Sequence, residues 1–146
     1  HHPTAIQLTL EALRLKYGER KLWAVFEPRS ATSRRNTLQE QFAKSFQPAD
    51  IAIVAPPFDQ SRIPVDERLD PNQLVNQIRQ HGVEGYLIGW KPDDVEEWGV
   101  SDQVDAIVRM IVSHVSPKDV VAIMSNGGFG GIHQKLVQAI QITLSS

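Results

Sequence analysis

The chain contains no cysteine. Disulfides and thiolate metal sites are therefore excluded, and the core must hold without covalent staples. No run of about 18 apolar residues occurs, and no leader pattern of a basic start, an apolar stretch and a small-residue cleavage site. Neither a membrane-spanning helix nor a signal peptide is expected. Charge of one sign is also missing. Fifteen Lys and Arg face 17 Asp and Glu, a formal net charge of −2, and the basic residues are spread along the chain. Nothing in that balance marks a nucleic-acid or anionic-membrane surface. A glycine-rich loop closed by Lys-Ser/Thr, the phosphate cradle of many nucleotide enzymes, is absent as well. There is no internal repeat and no low-complexity tract. A soluble cytoplasmic protein is the expectation.

What is present suits one domain, 1–146. A chain of this length buries about 68–70% of its unfolded surface, and 41% hydrophobic residues can fill the core. The chain opens at His1-His2-Pro3 without methionine, which reads as a piece of something longer or a tag remnant.

Helical and strand patterns alternate. Thr4 is a candidate cap for a helix to Tyr17, with Ile6, Leu10, Leu13 and Tyr17 at helical spacing and Gly18 as its stop. Residues 21–27 (KLWAVFE) read as a buried strand ended by Pro28. A helix is expected over 36–46 and a second strand over 50–55 (DIAIVA). Residues 56–70, with Pro56, Pro57 and Pro64, read as an ordered but irregular loop. Asp70-Pro71 is a cap and first-turn pair for a helix to His81, followed by Gly82. Residues 84–89 (EGYLIG) give a third strand. Residues 90–99 are acidic and read as an exposed face. Ser101 and Asp102 start a helix to Val115. A fourth strand over 120–124 (VVAIM) leads into a glycine turn, and a last helix runs over 134–144.

Apolar strands joined by helices imply an α/β fold, a mostly parallel sheet covered on both faces. Ligands in such sheets gather at the carboxyl ends of the strands. Three loops should share that rim, 27–35, 56–70 and 125–133.

The last of these, SNGGFGGIH, holds four glycines in nine residues between a strand and a helix. Glycines there allow backbone N–H groups to approach an anionic ligand at a helix start. They equally serve turns that need positive φ or close packing, and the pattern alone does not separate the two. The first loop carries Arg29, Arg34 and Arg35 with Ser30, Ser33 and Thr32. Guanidinium forks suit carboxylates and phosphates. Arg34 and Arg35 read as a solvated cationic stretch, with Ser33 or Asn36 as a helix cap. Arg29, directly at the strand end, is the candidate ligand contact. His1 and His2 are adjacent, face apart and lack carboxylate partners, so no metal site is expected. His81 and His114 sit at helix ends, where positive charge is simply favourable. His133 reads as a capping or packing residue. No Ser/His/Asp order is legible.

Three stretches together resemble the Mur ligase family, in its C-terminal domain. They are 1–4 (HHPT), 25–32 (VFEPRSAT) and 124–136 (MSNGGFGGIHQKL), and the resemblance spans the chain. It implies a dinucleotide-binding-like third domain, preceded in the parent protein by a UDP-sugar-binding domain and a central ATPase domain that owns the phosphate loop. The implied chemistry is ATP-dependent amide formation with Mg²⁺, through an acyl phosphate. The 124–136 motif implies a branch that joins UDP-N-acetylmuramate to L-alanyl-γ-D-glutamyl-meso-diaminopimelate in peptidoglycan recycling, with consequences for wall biogenesis, shape and division. The resemblance implies no catalytic residue in this domain alone, and inactivity of the domain in isolation. It implies a tripeptide-binding set of Arg29, Ser30, Thr32, Ser125, Asn126, Gly127 and Gly128, and a nucleotide-side or interdomain set of His1, His2 and Pro3.

One departure bears on substrate. The alanine-adding relatives carry His-Arg-aromatic-Thr-Arg after the proline that matches Pro28, so their two arginines fall opposite Ser30 and Ser33. A free amino acid presents a carboxylate beside its amine. In the tripeptide that carboxyl is already an amide, and a cationic clamp would be left unpaired. An L-alanine ligase domain and a non-catalytic α/β module, for nucleotide binding or for regulation, remain as alternatives.

Overall fold

The computed structural model describes residues 2–30, 32–57, 59–88, 100–125 and 127–145, with the backbone alone at 100–101 and 142–145. Helices and strands alternate as α1 (Pro3–Tyr17), β1 (Leu22–Phe26), α2 (Gln39–Ser45), β2 (Ile51–Val54), α3 (Pro71–Gln80), β3 (Glu84–Leu87), α4 (Val100–His114), β4 (Val120–Met124) and α5 (Ile132–Ser145). The four strands are all parallel, in the order β3-β2-β1-β4.

Strand alternation sorts the core into two layers. Leu22, Ala24 and Phe26 of β1, with Ala52, Val54, Ala122 and Met124, face α1, α2 and α3. Trp23 and Val25, with Ile51 and Ile53, face α4, α5 and the buried Phe129. Period-2 side-chain direction produces this split, and it explains why β1 is apolar at five consecutive positions. Phe26 packs against Phe42 and Phe46, both with ring centroids 5.6 Å away.

The chain moves outward from β1 to β3 with α2 and α3 on one face. It then returns past β1 to β4 with α4 on the other face. Direction and face change together, as a constant crossover hand requires. The reversal leaves a crevice between the carboxyl ends of β1 and β4, where such sheets place ligands.

Several expectations are corrected in detail. His2, not Thr4, caps α1. Its Nδ1 accepts the Thr4 N–H at 3.2 Å, and Pro3 occupies the first turn, where its missing N–H costs nothing. Helix α2 starts at Gln39 rather than 36, without a side-chain cap from Ser33 or Asn36. Asn36 is used elsewhere: its backbone N–H donates to Glu67 O and its side chain to Asp66 O. Helix α5 starts at Ile132, after a short 3₁₀ turn over Phe129–Gly131. The Asp70 cap holds as expected, accepting the Gln73 N–H at 3.1 Å. The acidic stretch 90–99 lies outside the described residues. Among the described residues, no helix is long and apolar enough to cross a membrane.

One polar network ties α1 to the amino ends of β1 and β2. Arg14 donates to Pro48 O at 2.8 Å, Gly18 O at 3.0 Å, Arg20 O at 2.8 Å and Asp50 Oδ2 at 2.8 Å. The same Asp50 oxygen accepts the Leu22 N–H at 2.8 Å. Burial alone would raise the Asp50 carboxyl. The Arg14 and Leu22 hydrogen bonds and the charges of Arg14 and Lys21 outweigh it and hold the group below its ordinary value. A depressed carboxyl contributes stability above its unfolded-state pKa and loses it as pH falls through the folded one. Arg14→Ala is expected to cost about 1–2 kcal/mol, a Tm drop of roughly 3–6 °C at neutral pH. Asp50→Asn should cost less, and its difference from wild type should shrink as pH falls below the ordinary carboxylate range. Thermal melts across that range check both, and an Asp50→Asn deficit that does not vary with pH would refute the network's charge.

Candidate functional site

The crevice between β1 and β4 gathers four groups from opposite ends of the sequence. Glu27 follows the last residue of β1, and its N–H still pairs with Met124 O at 3.1 Å. Its side chain is only 3% exposed. A carboxylate so far from water needs partners. Ser125, just beyond β4, donates its hydroxyl to Glu27 Oε1 at 2.7 Å. Arg29 Nη1 lies 3.8 Å from the same oxygen. The Ser125 hydroxyl oxygen accepts the Gly127 N–H at 3.1 Å, which folds the turn over the pair.

Gly127 gives Arg29 its seat by proximity. A Cβ built on it would collide with Nε and Cδ of Arg29, so the guanidinium arm packs directly on the glycine backbone. Gly128 meets nothing within 4 Å and has helical φ and ψ, so neither space nor strain demands glycine there. At Gly130 and Gly131 the demand is conformational, with φ of 57° and 72°. Phe129 also has positive φ, at 47°, which is uncommon for a bulky residue. Its burial to 2% exposure beside Ile132 and α4 holds it there and anchors the turn to the core.

The first loop is braced from within and from the loop after β2. The Ser30 and Ser33 hydroxyls bond each other at 2.8 Å, the Ser33 N–H donates to Ser30 Oγ at 3.0 Å, and Ser33 is buried. Arg34 is not merely solvated: its guanidinium donates to Ser30 O and, at 2.6 Å, to Asp59 O. Gln60 returns a bond to Arg34 O at 2.9 Å. Arg35 forms an antiparallel bridge with Arg68 and an ion pair with Glu67 at 3.7 Å. Asp59 accepts both the side-chain and backbone donors of Ser61, which hold its carboxyl below the ordinary value.

The structure thus brings Arg29, Ser125 and Gly127 together and adds Glu27, which the sequence reading did not single out. Ser30 is beside them, with its hydroxyl committed to its own loop. Thr32 and Gly128 are exposed at the rim. His2 is exposed and its Nδ1 is taken by Thr4, while Pro3 is buried. Asn126 and His1 lie outside the described residues. Of the turn's amides, Gly127 N–H and Gly131 N–H are spent inside the turn, on Ser125 Oγ and Gly128 O. Those two donors are therefore not open to a ligand. The signal for Glu27 was present: a carboxylate closing an otherwise apolar strand is costly unless something pairs with it. Among the described residues no three His, Cys, Asp or Glu side chains converge as a cation site.

Comparison with known proteins gives concordant matches. The family described as Mur ligase, glutamate ligase domain, matches residues 1–127. A UDP-N-acetylmuramate–L-alanyl-γ-D-glutamyl-meso-2,6-diaminoheptandioate ligase of Escherichia coli (strain K12) is 35% identical over 146 residues, covering 96% of this chain and 26% of its own. A UDP-N-acetylmuramate–L-alanine ligase of Desulfitobacterium hafniense is 31% identical over 137 residues, covering 94% of this chain and 27% of its own. The crystal structure of a murein peptide ligase from Psychrobacter arcticus superposes with a TM-score of 0.70 at 30% identity, covering 96% of this chain and 26% of that one. The chain spans about a quarter of the length of the curated relatives it matches.

Gly127→Ala tests the packing of the site. The collision is with the far end of a flexible side chain, and Gly127 needs no positive φ. The fold should lose less than about 1 kcal/mol, a few degrees in Tm. Arg29 should move, shifting its Nε–Hε resonance in a ¹⁵N-correlated NMR spectrum. An unchanged resonance would show that Arg29 does not rest on this glycine.

Proposed function

The chain belongs to the Mur ligase family, and we propose that it is the third domain of an ATP-dependent ligase joining UDP-N-acetylmuramate to L-alanyl-γ-D-glutamyl-meso-diaminopimelate. On this reading it serves peptidoglycan recycling in the cytoplasm, beside the UDP-sugar-binding and ATPase domains of the same protein. The similarity to the Escherichia coli ligase of that name over nearly the whole chain supports it. Similarity to L-alanine ligases is comparable, so the choice between substrates rests on the rim.

There the carrying observation is the Ser30–Ser33 pair. Where the alanine-adding pattern has two arginines, this chain closes two hydroxyls on each other at 2.8 Å and buries Ser33. At these two positions no double guanidinium clamp stands ready for the carboxylate of a free amino acid. In the peptide that carboxyl is an amide, and neutral groups suit it. Arg29, packed on the β4 turn, is left to meet one of the more distal carboxylates, of the glutamate or the diaminopimelate. We assign Ser125, Asn126, Gly127 and Gly128 to the same end of the peptide, and Ser30 and Thr32 to its nearer part. We assign His1, His2 and Pro3 to the nucleotide-side or interdomain region.

The residues of this chain do not fit ATP with Mg²⁺ by themselves. The described side chains form no cation cluster, and the sequence has no Gly-Lys-Ser/Thr loop. We assign both to the central domain. This domain's contribution is to bind the peptide, orient its amine toward the activated muramoyl carboxyl, and exclude water as it closes.

In the full-length enzyme, Arg29→Ala should lower kcat/KM for the tripeptide by roughly 10-fold or more, as loss of a charge-assisted hydrogen bond of about 1.5–3 kcal/mol implies. The KM for UDP-N-acetylmuramate should move much less. Steady-state kinetics in both substrates check this, and equal losses toward both would point to misfolding or failed closure instead. The isolated chain, given ATP, Mg²⁺ and both substrates, should release no phosphate above background. Turnover by it would overturn the assignment of the ATP site to another domain.

A further inference from the structure

Among the described residues, Glu27 is the one charged side chain at the β1–β4 crevice that lies almost wholly out of water, at 3% exposure. Burying a carboxylate is unfavourable unless its partners offset the cost. A strand end could be closed by an apolar residue at no such cost. The partners are both rim groups: the Ser125 hydroxyl at 2.7 Å from Oε1 and Arg29 Nη1 at 3.8 Å from the same atom. Ser125 in turn holds the Gly127 N–H, and Gly127 is the surface on which Arg29 lies. One buried oxygen thus fixes both the arm that leaves β1 and the turn that leaves β4. Glu27 and Ser125 are 98 apart in sequence.

We propose that Glu27 is a positioning residue for peptide capture: it holds the Arg29 guanidinium against the Gly127 backbone so that the fork is preset for a peptide carboxylate. This rests on the reading of Arg29 given above. A preset fork loses less conformational freedom on binding than a wandering one. Glu27 itself is too buried to be the contact.

Geometry and charge predict opposite signs for its removal. Charge alone would make Glu27→Gln bind a carboxylate better, because a negative group near the guanidinium is gone. Loss of position would make it bind worse. The peptide KM therefore separates the two roles.

The experiment is a double-mutant cycle in the full-length enzyme with Glu27→Gln, Arg29→Ala and the double variant. Steady-state kinetics are taken in tripeptide and in UDP-N-acetylmuramate. Glu27→Gln keeps the shape and can still accept from Ser125. It should raise the tripeptide KM roughly 5- to 10-fold while kcat and the UDP-N-acetylmuramate KM stay within about twofold. In the Arg29→Ala background it should have almost no further effect, since its target is gone. A tripeptide KM that falls or holds in Glu27→Gln, while Arg29→Ala is impaired, overturns the positioning role and leaves the Arg29 reading intact. So does a Glu27→Gln loss of equal size in both backgrounds. A neutral Arg29→Ala sinks both. If Glu27→Gln does not fold, Glu27→Asp answers in the same cycle. It keeps the charge but withdraws it by one methylene, and should give an intermediate KM rise that vanishes without Arg29.

Discussion

Strand β1 is paired on both edges and covered on both faces. Its five residues are each no more than 2% exposed, and it hydrogen-bonds β2 on one side and β4 on the other. A central strand in a parallel sheet has no solvent-facing side, so its sequence is apolar throughout rather than alternating. Everything else is arranged around it. Helices α1–α3 close over Phe26 and its even-numbered neighbours, and α4 and α5 close over Trp23 and Val25. The chain must leave β1 in one direction and return on the other, and that reversal opens the crevice at its carboxyl end. The position of the site is a consequence of the topology.

What the crevice contains follows from how that strand ends. After Phe26 comes a carboxylate that is still inside the protein, then a buried proline, then an arginine at the surface. The carboxylate finds its hydrogen-bond partner on the loop after β4, because parallel registry sets Phe26 beside Met124 and so brings Glu27 level with Ser125. A glycine two residues on leaves room for the arginine to lie across the turn. The result is a cationic group held between two loops rather than projecting from one. The loop after β2 supplies a second brace through Asp59, Gln60 and the Arg35–Arg68 bridge. A peptide-handling rim gains from such bracing, since rigid groups lose less entropy when they bind.

This division of labour fits a domain of a larger ligase. On the proposed reading, the chemistry that needs phosphate and cation handling belongs to other parts of the protein, and this domain's part is to bring shape and a fixed charge to the incoming amine's side. On the same proposed reading, the Ser30–Ser33 pair gives specificity by omission. Two hydroxyls satisfied by each other demand nothing of a substrate, whereas two guanidiniums would demand a carboxylate.

The order of elements, the parallel sheet, the Asp70 cap and the glycine stops at 18 and 82 were legible from sequence, because periodicity and capping are local properties of a chain. The rim was legible as a set of loops, and Arg29, Ser125 and Gly127 among its residues. The misses came largely from contacts distant in sequence. Helix α2 starts late because Asn36 is bonded to a loop some 30 residues away, and His2 rather than Thr4 caps α1. Arg34 is a brace rather than a solvated charge, for a partner at Asp59 that no spacing reveals. By itself the sequence determined which segments are strands and helices and which loops crowd one edge, since those follow from side-chain period and turn chemistry. Only the tertiary structure decided that Glu27 is buried, that Ser125 and Arg29 share its oxygen and that Gly127 is a seat rather than a hinge. Those facts depend on the registry of β1 with β4, a contact between residues nearly a hundred positions apart that hydrophobic burial, not local preference, brings together.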